Sequence, residues 1–258
     1  MTGKTYIGTS GWSYEHWKYK FYKEIPQKNW LHYCSENFTS IEINATFYRL
    51  QSPVTFKHWY DSTTENFRFS IKANRYLTHS KRLKNPEQSI TLEKKHAQNL
   101  GNKLAAVVWQ LPGQFHKNME RLNHFATALK QWPGPRHVIE FRDASWFDEE
   151  VATCLHSHRV AACISDAADW PRWDKLTTNF VYLRLHGHAQ TYISSYNSQE
   201  LGYWYRKIRA WLDNNLDVFV YFDNDAECAA PYDAMKLIAM LHKNSIKENS
   251  PETPSVST

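Results

Sequence analysis

A single (β/α)8 barrel of the TIM type is the fold this sequence predicts, and three observations carry it. Eight segments with β-type patterning alternate with about seven helical ones along the 258 residues. No linker-like break interrupts the alternation, so one domain spans residues 1–244, leaving 245–258 as a tail. The competing open doubly wound sheet would ask for G-x-G-x-x-G after the first strand, and none stands there.

The first strand reads Tyr6 to Trp12, followed by an aromatic loop (Tyr14, Trp17, Tyr19, Phe21, Tyr22) and a helix from Trp30 to Phe38. Ser40 to Tyr48 reads as the second strand, with Glu42, Asn44, Thr46 and Tyr48 on one face by period-2 alternation. Pro53 is suited to open the next helix, which runs to about Glu65. In the third strand, Arg68 to Asn74, alternation puts Ser70, Lys72 and Asn74 on one side. A polar loop, Arg75 to Asn85, precedes a helix opened by Pro86 and closed by Gly101.

The fourth strand, Leu104 to Leu111, carries Gln110 before Pro112-Gly113. Asn118 to Trp132 is amphipathic, with Met119, Leu122, Phe125, Ala126 and Leu129 on its inner face. The fifth strand, His137 to Asp143, sets Val138, Glu140 and Arg142 against Ile139 and Phe141, and a helix follows from Asp148 to Arg159. After the sixth strand, Val160 to Asp166, the stretch Ala167 to Asn179 is short and holds Pro171, so its helix is reduced or missing. The seventh strand, Phe180 to Gly187, aligns Tyr182, Arg184 and His186; a polar loop, His188 to Asn197, and a helix, Ser198 to Asn214, come next. Val218 to Asp225 is the eighth strand, Ala229 to about Lys243 the last helix, and the tail lacks enough apolar residues to order.

Composition narrows the class. Aromatics are abundant (11 Trp, 15 Tyr, 13 Phe), enough to fill a large core or line a pocket. A net charge of +5 admits acidic small molecules or nucleic acid without arguing for either. Four cysteines without C-x-x-C spacing read as free thiols in a reducing compartment. With no signal-peptide pattern over residues 1–12 and no membrane-length apolar run, a cytoplasmic protein is the expectation.

Barrels of this kind place their chemistry on the loops and strand ends of the C-terminal face. Glu42, Lys72, Glu140, Arg184, His186 and Asp223 are the catalytic candidates collected there. Ser10, Trp12, Asn44, Tyr48, Gln110, Arg142, Trp146, Asp166, Tyr221 and Asn224 are the substrate-binding candidates. Buried charges need partners, so the plain alternative is a self-paired network plugging the barrel. An ionisable set spread over six strands exceeds what a plug needs. One strand-end histidine and no H-x-x-x-H pair argue against zinc, and no metal ligand set is assigned. A hard cation such as Mg or Mn, held by Glu42, Glu140, Asp166 or Asp223, stays open as a cofactor.

Six stretches in order, Ile7-Gly8-Thr9-Ser10-Gly11-Trp12, Glu42-Ile43-Asn44-Ala45-Thr46-Phe47-Tyr48, Trp109-Gln110-Leu111-Pro112, Glu140-Phe141-Arg142 with Ser145-Trp146, Arg184-Leu185-His186-Gly187 and Tyr221-Phe222-Asp223-Asn224-Asp225, resemble the YecE family, domain of unknown function 72. The resemblance covers about residues 5 to 243. It implies a TIM-type barrel in bacterial cytoplasm, a distant kinship to sugar isomerases and no established activity. Asp143 and His188 depart from the family pattern, where a histidine and a basic residue are usual, and this bears on the rim's charge.

Three functions are consistent with these residues. The first is proton transfer on a sugar or phosphosugar, as in isomerisation or epimerisation, with Glu140 or Glu42 as base and Lys72, Arg184 or His186 at the developing oxyanion. The second is metal-assisted, nuclease-like phosphoester hydrolysis. The third is a non-enzymatic small-molecule or nucleic-acid binder, with Arg75, Lys81, Arg82 and Lys84 as a basic loop. A small ligand, anionic or sugar-like, is the expected partner.

Overall fold

The computed structural model describes residues 2–248, with side chains to residue 243. Its strands are β1 (Thr5–Thr9), β2 (Ser40–Ile43), β3 (Arg68–Lys72), β4 (Leu104–Gln110), β5 (Arg136–Glu140), β6 (Val160–Ala162), β7 (Ile164–Asp166), β8 (Phe180–Leu185) and β9 (Asp217–Phe222). All pair in parallel, in one sheet ordered β2-β3-β4-β5-β6 and another ordered β1-β9-β8-β7. The sheets meet at two seams. At one, β6 and β7 are a single stretch interrupted at Cys163, whose N–H reaches Ile139 O at 2.8 Å. At the other, β1 and β2 share a bridge between Ser10 and Glu42, where Gly11 N–H donates to Glu42 O at 2.8 Å. The result is a TIM-like β/α architecture, as the sequence predicts.

The helices are α1 (Trp30–Asn37), α2 (Ala45–Tyr48), α3 (Pro53–Asp61), α4 (Glu87–Ala97), α5 (Met119–Ala128), α6 (Glu149–His158), α7 (Ser198–Asp213) and α8 (Ala229–Glu248). Their starts follow from local chemistry. Ser52 accepts from Thr55 N–H ahead of Pro53, and Asn118 and Asp148 accept from the third residue beyond them. Asn197 and Glu200 form a reciprocal capping box at α7, which buries Leu201, Trp204, Ile208 and Leu212 along one stripe. Between β7 and β8 no helix forms, in agreement with Pro171 and the short connection.

Several boundaries differ from the sequence expectation. The second strand stops at Ile43 instead of Tyr48, because Thr46 Oγ1 turns back to Ile43 O and Lys72 O (2.8 and 2.7 Å) and the chain enters α2. α3 ends at Asp61, short of Glu65, and α4 gives way at Gln98 to a 3-10 turn in which Gly101 takes φ +51°. The last helix crosses the expected domain edge at 244 and continues to Glu248. The predicted tail lies outside the described residues from 249 onward.

Two apolar layers hold the assembly. Most of the core lies between strands and helices, whereas the barrel interior holds a smaller cluster. There Phe180, Tyr182, Phe219 and Tyr221, with Tyr6 packed against them, face the small residues Ala106 and Ala161 across the axis. Bulky rings on β8 and β9 thus fill the space left by alanines on β4 and β6. That aromatic plug is the floor on which the polar residues of the strand ends rest.

Candidate functional site at the mouth of the barrel

Arg184, on β8 one turn of the pleat above Tyr182, is wholly buried, and three carboxylates close around it. Its Nη2 donates to Glu42 Oε1 at 2.7 Å and Asp223 Oδ2 at 2.9 Å, and its Nη1 to Glu140 Oε2 at 2.7 Å. The remaining lone pairs are also used. Glu42 accepts from Ser10 Oγ (2.5 Å) and Tyr182 OH (2.7 Å), and Glu140 from Arg142 Nε (2.7 Å) and Ser165 Oγ (3.1 Å). A guanidinium stands where a divalent cation would sit among such acids. Among the described residues no group of three or more metal-ligating side chains is free to hold one.

Electrostatics follow from this packing. Burial would push Glu140 up, but Arg142 and Arg184 hold it well below the usual carboxylate range. Asp223 is likewise brought down to about 2 by Arg184 and His186 against the burial penalty. His186 places Nδ1 3.0 Å from Asp223 Oδ2, off the line a hydrogen bond needs, and Nε2 3.5 Å from Glu140 Oε1.

Lys72 differs from the other cations. It ends β3 with only 9 % of its surface exposed, its ammonium 4.2 Å from the Phe47 ring centre. No carboxylate comes within ion-pair distance of it among the described residues. Burial, with Arg184 adding to it, lowers its amine to about 8 against the pull of Glu140, Asp223 and Glu42. His79, on the turn after β3, is driven to about 4 by burial and by Arg75, Lys72 and Arg142, and so is neutral.

Two loops roof the cup. Trp170 stacks on the Arg142 guanidinium at 3.3 Å and meets His186 edge-on at 4.6 Å. Tyr192 packs 5.7 Å from His186, its N–H donating to His186 O.

The structure therefore brings together Ser10, Glu42, Asn44, Lys72, Glu140, Arg142, Arg184, His186 and Asp223. It distributes the other candidates elsewhere. Tyr48 is 71 % exposed on α2, because the turn at Asn44 carries it off the strand face. Trp146 is buried against Phe141, its indole N–H bound to Phe115 O. Tyr221 belongs to the floor, its hydroxyl between Ser40 and Ser70 (2.6 and 2.7 Å). Asn224 points away to Asp233 of α8 and Ser194 O. Asp166 faces the rim loops, where it meets His188, Arg172 and Tyr196. Gln110 folds back onto Leu111 O, and Trp12 lies in an adjoining cleft beside Trp59.

Sequence reasoning missed Tyr182, Ser165, Phe47, His79, Trp170 and Tyr192. Only the first two had a signal. Tyr182 shares the face of Arg184 and His186, and Ser165 follows Ala161 and Cys163 on the small-residue side of its strand. Phe47 lies on the short helix α2, and the other three sit on turns and loops without periodicity.

Comparisons with known proteins agree with this architecture. The family model described as "Protein of unknown function DUF72" matches residues 6–256. The UPF0759 protein YunF of Bacillus subtilis is 26% identical, over 92% of this chain and 94% of that protein. The UPF0759 protein YecE of Escherichia coli is 27% identical, over 63% of this chain and 59% of that protein. In fold, the chain is similar to a DUF72 family protein of Thermotoga maritima, with a TM-score of 0.83, 24% identity, and coverage of 93% of this chain and 99% of the other. A DUF72 family protein of Enterococcus faecalis follows at a TM-score of 0.79, 19% identity, and coverage of 92% and 95%. No helix of the described residues is long and apolar enough to cross a membrane.

Proposed function

This chain belongs to the family of proteins of unknown function DUF72, and we propose that its barrel mouth carries out acid/base proton transfer on a small, anionic, sugar-like carbonyl compound. One observation carries the reading: Lys72 is the ionisable group at the mouth that is nearly buried, unpaired with any carboxylate among the described residues, and tuned to about 8. Glu42 and Glu140 have their oxygens committed to Arg184, Ser10, Tyr182, Arg142 and Ser165, so neither presents a free oxygen to a substrate. The base is therefore Lys72 rather than either glutamate.

In the proposed cycle, the neutral Lys72 amine takes a proton from the carbon next to the carbonyl, leaving an enolate whose oxygen carries the charge. Arg142 and His186, beneath Trp170 and Tyr192, stabilise that oxygen, and exclusion of water by the two rings strengthens them. Return of the proton from the Lys72 ammonium to the former carbonyl carbon, with the proton of the adjacent hydroxyl passing to the first oxygen, isomerises the substrate; return to the same carbon restores it. Arg184 fixes the carboxylates and so the field, without touching the substrate. The phosphoester reading is less favoured, because it needs carboxylates that the guanidinium already occupies.

The test is solvent exchange. In D2O, the protein incubated with a panel of aldoses, ketoses and their phosphates is expected to place deuterium at the carbon beside the carbonyl of one of them, read by NMR. Lys72→Met should abolish the exchange. Absence of exchange across the panel, or full exchange in Lys72→Met, would refute the proposal.

A further inference from the structure

Between α4 and the loop that follows β3 lies a cleft of about 360 Å³, within the range of roughly 300–1,000 Å³ that small-molecule sites occupy. Leu50, Leu77, Leu92 and Tyr76 give it an apolar wall, of which Leu92 and Tyr76 stay about half exposed. Two charged side chains, Glu93 and Lys81, also line it. The Lys81 ammonium is turned to its own loop, donating to Asn85 O at 2.6 Å and lying 5.8 Å from the Tyr76 ring centre.

Glu93 is more than nine-tenths buried, and its Oε1 accepts the Asn74 N–H at 3.1 Å, which fixes the plane of the carboxyl. Oε2 has no partner among the described residues. It is also not one of the unpartnered atoms sealed from water, which are Asn44 Oδ1, His186 Nδ1 and Asn224 Oδ1, so it opens into the cleft that Glu93 lines. On α4 and the elements packed against it, the other charged groups are engaged elsewhere. Lys94 donates to Gln131 O, His96 bonds Gln51 O, Glu87 pairs with His124, Lys57 with Asp61, and Lys103 donates to Tyr60 O. Without a counter-charge, burial raises the Glu93 carboxyl to about 8, opposed only by the Asn74 N–H. For the fold alone a glutamine would serve, since it offers Asn74 the same acceptor with no charge to bury.

We propose that this cleft binds a small primary amine as its ammonium, which donates to Glu93 Oε2 while its hydrocarbon chain packs on Tyr76, Leu77 and Leu92. The ammonium supplies the cation that the neighbouring side chains do not, and a hydrogen bond between charged groups is about twice as strong as one between neutral groups. A metal ion fits less well, because it asks for several oxygen ligands and a single carboxyl oxygen is free here. Binding ionises Glu93: the neutral acid releases its proton to solvent, the ligand keeps all of its own, and the bound pair is neutral. The site is independent of the proton-transfer chemistry at the barrel mouth.

The ¹⁵N-labelled full chain is titrated with pentylamine and, as its uncharged match, 1-pentanol, while the Asn74 and Glu93 backbone amide signals are followed. Pentylamine should bind saturably at pH 8 with an affinity on the order of millimolar. That binding should be at least about tenfold tighter than at pH 6, because Glu93 must ionise, and at least about tenfold tighter than that of pentanol. Glu93→Gln, which keeps the acceptor for Asn74, should weaken it at least about tenfold and remove its dependence on pH. Independently, Leu92→Ser on the half-exposed wall should weaken it severalfold. No saturable shift at pH 8, pentanol binding as well as pentylamine, equal affinity at pH 6 and pH 8, or undiminished binding in folded Glu93→Gln or Leu92→Ser would overturn the inference.

Discussion

Replacing Arg184 by methionine removes the one guanidinium shared by three acids while keeping much of its volume. Glu42 and Glu140 are fully buried and Asp223 nearly so; Glu140 keeps Arg142 Nε at 2.7 Å and Asp223 keeps His186 beside it, whereas Glu42 loses its guanidinium partner outright. Leaving a buried charge without its partner costs about 3–5 kcal/mol at neutral pH, a fall in Tm on the order of 10 °C for a chain of this size. The pH dependence is the sharper signature. In the native protein Glu140 and Asp223 sit below their ordinary values, so their stabilisation is present above about pH 4.5 and is lost as the pH falls through their folded values. In Arg184→Met one of the charges that hold Glu140 and Asp223 down against their burial is gone, so both take up protons at higher pH than in the native protein and the deficit of the variant grows as pH rises. Urea unfolding at pH 5 and pH 8 should therefore show a deficit that is larger at pH 8. A deficit equal at the two pH values, or below about 1 kcal/mol at both, would refute a buried network centred on Arg184.

Two further outcomes follow from neighbouring groups. Tyr182→Phe strips Glu42 Oε2 of its 2.7 Å donor and should cost about 1.5–3 kcal/mol in urea unfolding; a loss within experimental error would mean that the phenol does not serve the carboxylate. Glu93, 7 % exposed, meets among the described residues only the Asn74 N–H at 3.1 Å, and burial raises its carboxyl to about 8. Its protonated form stabilises the fold below about pH 4.5, and that stability is lost as pH rises toward 8. Glu93→Gln, which keeps an acceptor for Asn74, should therefore gain up to about 3 kcal/mol over wild type at pH 7 and far less at pH 5; an equal gain at both pH values would contradict a raised carboxyl.

Much of the site was legible because strand residues obey a period of two. Glu42, Glu140, Arg184 and Asp223 came out on the inner face, since each stands two residues from another inward side chain or carries a charge no helix-facing layer could absorb. The same rule, read without regard to side-chain bulk, chose Asp166 over Ser165, whereas Asn224 entered with the Tyr221–Asp225 stretch that carries the family resemblance and not by alternation. Bulk gives the correct face: Ile164 and Phe222 pack against helices, so their i+2 neighbours face outward too. Tyr48 was misplaced for a different reason. Its strand ends where Thr46 caps Ile43 and Lys72, a side-chain to backbone contact that depends on β3 being alongside. Trp170, Tyr192 and His79 come from loops whose positions are set by the finished barrel, and no local pattern announces them. The Lys72 amine was identified as a candidate, but its lack of a carboxylate partner is a property of three dimensions.

The titration of Lys72 tests the central claim most directly. With ¹³C-labelled lysine, its side-chain resonance, assigned by its disappearance in Lys72→Arg, should inflect near pH 8, well apart from the surface lysines. An inflection at the ordinary lysine value of about 10.4 would mean an amine that is solvated or paired, and the proton-transfer site described for the barrel mouth would have no base.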